Sequence, residues 1–94
     1  MLSTSIKDNF GTALNDLSSR LEQNKAAIDS SDASFVSFRN QIDLAVASMP
    51  AAVRESEAMQ NALTTLFTAE NSNDLEAALN QIKSALKNST ITAE

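Results

Sequence analysis

The chain has 94 residues and a formal charge of −5, from 12 acidic and 7 basic side chains, with neither cysteine nor histidine. That length allows one small domain, and the missing cysteines exclude disulfides, thiol nucleophiles and cysteine-based zinc sites. Without histidine the commonest general base near neutral pH is also absent. The cations stand singly along the chain, so no basic track exists to neutralise phosphates or an anionic membrane.

One Gly and one Pro are too little turn punctuation for a β protein. The spacing predicts an all-α fold, a small bundle of three to four helices over about residues 4–28, 32–47, 50–69 and 73–88. Residues 1–94 form a single helical domain in this reading, with 1–4 and 89–94 as flexible ends.

In the first helix Phe10, Leu14, Leu17, Leu21 and Ile28 recur at steps of three and four, with Asn24 in the one polar position. All four stripes can face one another in one bundle; a narrow stripe with a single polar member also suits pairing with another chain, where Asn fixes register, so these six residues are the expected interaction seam if one helix pairs outward. Ser3, Thr4 or Ser5 would cap the helix, placing Asp8 in its first turn against the dipole. Gly11 lies inside the pattern, which often marks a close backbone approach.

"DSSDAS", residues 29–34, is the first break. In the second helix Phe35, Phe38, Ile42, Ala45 and Met49 form the stripe. Val36, Leu44 and Val46 lie off it, so this helix is apolar over a wide arc and is the expected central element. Pro50 either starts a third helix, where its missing N–H is harmless, or kinks a longer one. That third helix would bury Ala52, Met59, Leu63, Leu66 and Phe67, with Val53 at its edge. "ENSND", residues 70–74, ends it. In the fourth helix Leu75, Leu79, Ile82 and Leu86 make the stripe, Asn73 and Glu76 read as a capping box, and Lys83 and Lys87 suit the C-terminal turns. The expected core is Phe35, Phe38, Ile42, Met59, Leu63, Leu66, Leu75, Leu79, Ile82 and Leu86.

No constellation for chemistry emerges. A single glycine forbids a nucleophile elbow or a phosphate-cradling loop. Glu55/Glu57 and Asp74/Glu76 are two apart and diverge on a helix. The segment from Glu70 to Gln81 has carboxylates at two odd positions of a calcium loop, but Leu75 stands where glycine is required and Gln81 where a bidentate Glu is required. We therefore expect no enzyme activity, no catalytic residues, no cofactor and no metal. The longest mostly apolar run, Leu44 to Val53, is half the length of a membrane span, and no Sec-type leader is visible, which favours the cytoplasm.

An acyl-carrier role would need Asp-Ser-Leu at the start of a second helix, and this chain reads Asp29-Ser30-Ser31. In composition the chain resembles type III secretion needle and rod subunits, which are likewise short, cysteine-free and rich in Ser, Asn and Ala. "STSIKDNF" resembles their uncleaved export signals. The likeness extends to no motif; it implies a secreted or filament-type subunit. The reading favoured by the residues is a non-enzymatic helical protein–protein interaction module that self-associates as a homo-oligomer, with no direct nucleic-acid partner and no membrane partner. A lower-ranked alternative is a small acidic inhibitor of the kind phages and mobile elements encode, blocking a host nucleic-acid-binding enzyme. The carboxylates disperse over every helix, which speaks against it.

Overall fold

The computed structural model describes residues 2–88, with side chains from Asp8 onward. Five helices follow in order: α1 (Leu2–Ser30), α2 (Asp32–Ala47), α3 (Ala51–Arg54), α4 (Glu57–Phe67) and α5 (Ser72–Asn88). Among the described residues there is no strand. The all-α bundle is as the spacing predicts, with one expected helix divided in two.

At 1.5 Å per residue the 29 residues of α1 span about 43 Å, which sets the 44 Å long dimension of the molecule. The helix begins at Leu2, so Ser3, Thr4 and Ser5 are helical residues and not caps. Asp8 lies in the second turn, outside the reach of the terminal dipole. Leu2 to Thr4 belong to α1, while Met1 and the expected tail at 89–94 lie outside the described residues.

Only Ser31 separates α1 from α2. Its backbone is extended, and its hydroxyl accepts the N–H of Ser34 at 3.3 Å, capping α2. A one-residue link folds α2 back along α1, and Arg20 donates to Gln41 across the pair. Pro50 resolves as the N-cap of α3, after α2 has ended at Ala47, so it starts a helix and kinks none. Arg54 Nε closes the corner by donating to the Met49 carbonyl at 2.9 Å.

The expected continuous helix over 50–69 is interrupted at Glu55 and Ser56. Ser56 competes for the backbone: its hydroxyl donates to the Val53 carbonyl at 2.8 Å and accepts the Met59 N–H at 3.2 Å. Gln60 covers the freed Arg54 carbonyl. This break resets the helical phase. Val53, expected at an edge, is fully buried, whereas Ala52 and Phe67, expected inside, are exposed. The buried face of α4 is instead Met59, Ala62 and Leu66.

The cap of α5 also sits two residues earlier than Asn73. Asn71 Oδ1 accepts the Asp74 N–H at 3.0 Å, and Asp74 in turn accepts the Glu70 N–H at 2.9 Å. The pair resembles a capping box displaced toward the N-terminus, except that the carboxylate takes the N–H of Glu70, the residue before the cap, and not that of Asn71.

α5, not α2, is the central element. It packs most extensively on α4, then on α1, and also touches α2. Leu79 and Leu86 widen its stripe on the α1 side, and Ala78 and Ala85 widen it on the other. Those two alanines, with Ala62 of α4, allow close approach of the two backbones. Thr65 donates to Gln81 across the same junction at 2.8 Å. The core runs continuously through Leu14, Leu17, Leu21 and Ile28 of α1, Phe38, Ile42 and Val46 of α2, Met49, Val53 and the buried faces of α4 and α5.

Gly11 does not mark a close approach: a Cβ built on it meets nothing within 4 Å. Replacing it with alanine should therefore stabilise the protein by about 0.5–1 kcal/mol, through helix propensity and a less mobile unfolded chain. Ser56→Ala should cost about 1 kcal/mol, since it removes the α4 cap. Thermal melts followed by circular dichroism check both signs.

Candidate interaction surfaces

The expected seam of α1 is used by the protein's own core. Leu14, Leu17, Leu21 and Ile28 are buried, and Phe10 packs half-buried against the same cluster. Asn24 is exposed and donates its amide to the Arg20 carbonyl of its own helix at 2.7 Å. Within this chain that bond is to its own helix and not to a neighbouring one. The seam fills because α1 is flanked on both sides, by α2 and by α5, and a single narrow stripe serves both neighbours.

Of the expected core, Phe38, Ile42, Met59, Leu66, Leu75, Leu79, Ile82 and Leu86 are buried. Phe35 and Leu63 are half-buried and pack against it. Among the described residues three large apolar side chains are left outside: Val36 at 40% exposure, Leu44 at 65% and Phe67 at 55%. The wide apolar arc of α2 is thus only partly used, with Val46 inward and Val36 and Leu44 outward.

These three residues fall on two faces. Leu44 lies beside Ala13, Asp16 and Leu17 in the α1–α2 groove. On α4, Thr65 and Asn61 are turned to α5, which leaves Leu63 and Phe67 on the side toward α2. Phe67 stands near the end where Asp29 meets Ser72, and so does Val36 in the first turns of α2. Phe67, Leu63, Phe35 and Val36 consequently flank the α2–α4 junction, a sparser contact than α4 makes with α5.

Arg39 occupies the same junction. Its guanidinium lies 5.8 Å from the centre of the Phe35 ring, a cation–π contact, and its buried Nε has no hydrogen-bond acceptor. One turn later stands Asp43, but no ion pair joins the two. An acid placed four residues after its base on a helix is the less favourable order.

A second polar feature leaves no local signal in the sequence, because its members lie 43 residues apart, at the ends of two helices. Asp29, near the end of α1, accepts the backbone N–H of Ser72 on one oxygen and its hydroxyl on the other, both at 2.8 Å. Ser72 is 1% exposed, so this carboxylate satisfies a buried donor pair at the first turn of α5. The backbone and hydroxyl donors, aided by nearby Lys25, hold the Asp29 carboxyl below its ordinary value. Lys25 itself bridges Glu76 of α5 at 3.1 Å and Glu22 at 3.2 Å. The bond to Glu76 leads in raising the lysine, and the same bond lowers Glu76.

Among the described residues no group of three or more His, Cys, Asp or Glu could hold a metal ion. The clefts between helices are shallow. Those of α1 with α5 and of α4 with α5 are lined by alkyl chains, amides and lysines, with no carboxylate in either. Among the described residues no helix is long and apolar enough to cross a membrane. Comparison with protein-family models, with curated proteins and with solved structures finds no match to this chain.

The clamp gives stability a defined pH dependence. Because the folded Asp29 titrates below its unfolded value of 3.8, its contribution is complete above that range and is lost as pH falls through the folded value. Asp29→Asn should lower the melting temperature at neutral pH, and the gap from the parent should narrow progressively as pH falls below about 4. Melts across that range check it; a gap independent of pH would contradict the clamp.

Proposed function

We propose that the protein acts by contact, as a non-enzymatic helical module that binds protein and self-associates. The observation that carries this reading is Phe67, a large aromatic side chain left 55% exposed on the surface of α4. A chain of this size can ill spare one of its four phenylalanines from the interior, since small domains bury a low fraction of their surface. An aromatic left at the rim of a helix junction is the kind of anchor that interfaces bury. The scattered acidic residues, with net charge −5, serve solubility in the unbound form.

This placement moves the contact surface away from α1, where the sequence pattern alone puts it, to the outer faces of α2 and α4. The self-association itself rests on the apolar side chains left outside and on the small size of the domain.

Mass measured by sedimentation from low micromolar to millimolar concentration should rise from monomer to dimer. Phe67→Ser should keep the mass at monomer over the same range while leaving helicity unchanged. A fixed monomer with a sharp melt would overturn self-association, and a mass that climbs without plateau would point to the filament-type alternative.

A further inference from the structure

We propose that the face of α2 carrying Val36, Arg39 and Asp43 is a two-fold self-docking surface, on which a second copy of this chain lays its own α2 antiparallel. The inference rests on the self-association reading above and adds the face, the orientation and the groups that fix it. What places these residues together is their spacing. Val36, Arg39 and Asp43 recur at steps of three and four along α2, on the side turned toward α4 and solvent.

The argument is one of charge complementarity. Arg39 and Asp43 carry opposite charges one turn apart, and within one copy they form no ion pair. An antiparallel two-fold whose axis passes midway between them sets Arg39 of each copy opposite Asp43 of the other. One contact is thereby made twice, as an isologous interface requires. A parallel arrangement would instead align Arg39 with Arg39 and Asp43 with Asp43, and like charges would repel.

The arginine is prepared for this. Packing on Phe35 holds the guanidinium in place, and its Nε is already sealed from water. The side chain as a whole is only half-buried, so its remaining N–H groups are open to a partner carboxylate. A pre-positioned fork loses less freedom on pairing than a mobile one.

The apolar residues agree with the same axis. Val36 of one copy falls level with Val46 of the other, beside the exposed and small Ala47. The two-fold keeps both α4 helices on one side and reverses their ends. The pairing buries Val36 of each copy, with the two ion pairs between them. Leu44 stands on the opposite side of α2, toward α1, and takes no part.

Charge exchange tests this directly. Dimerisation of the full chain is measured by sedimentation for the parent, Arg39→Asp, Asp43→Arg, the double exchange and Leu44→Ser, with helicity checked for each. Each single reversal should weaken dimerisation about tenfold or more, by opposing like charges twice. The double exchange should restore it to within about threefold of the parent, and Leu44→Ser should leave it unchanged. Asp43→Arg leaves Arg39 on Phe35, so it separates pairing from the loss of packing that Arg39→Asp brings. A parent that dimerises while both single variants dimerise equally well would overturn this face and leave self-association standing. So would a folded double exchange that stays monomeric, or a dimer lost on Leu44→Ser. A parent that is monomeric throughout would overturn both.

Discussion

Everything in this fold depends on the burial of one narrow apolar stripe between two neighbours. Leu14, Leu17, Leu21 and Ile28 of α1 face α2 on one side and α5 on the other. α4 is joined to this frame chiefly through α5. Removing α1 would expose a flank of each helix it touches and leave the α4–α5 pair as the largest remaining contact. The connections reinforce the arrangement at one end of the bundle, where Ser31 turns the chain in a single residue and Asp29 ties the start of α5 to the end of α1. Lys25 and Glu76 add a second tie one turn away. Hydrophobic burial supplies the driving force, and the carboxylate clamp selects where along α1 the fifth helix begins.

How much of this is legible in the sequence depends on the range of the interaction concerned. Helix periodicity is a local property, so α2 and α5 stand within a residue or so of the positions their stripes predict. The stripe Leu75, Leu79, Ile82 and Leu86 is buried as its spacing requires. The division of the third helix turns on one hydroxyl: Ser56 is an ordinary helix residue by propensity, and only its bonds to Val53 and Met59 make it a stop. Once that stop is missed, the phase of everything before it is wrong, which is why Val53 and Ala52 exchange places.

The surface was harder to read for a different reason. A stripe of three- and four-residue steps looks the same whether it meets the protein's own helices or another chain, so α1 resembles a seam while serving as a wall. The information that separates the two cases lies in how many neighbours compete for the stripe. Here α1 has two, and Asn24 is pushed out to solvent between them. Conversely, Phe67 follows the helical spacing and still points outward, because α4 uses Ala62 to approach α5 and so rotates Phe67 away. The Asp29–Ser72 clamp joins residues 43 apart, beyond any local pattern.

Placing α1 inside and the outer faces of α2 and α4 outside is the claim on which the functional reading stands. Substituting Leu17 with glutamate probes it most directly, with far-ultraviolet circular dichroism and a thermal melt measured on the same sample as the mass. Leu17 is 4% exposed, so a charge there should abolish the cooperative melt and much of the helicity. A variant that kept full helicity and an unchanged melting temperature, and lost only its ability to associate, would show that α1 is a seam after all.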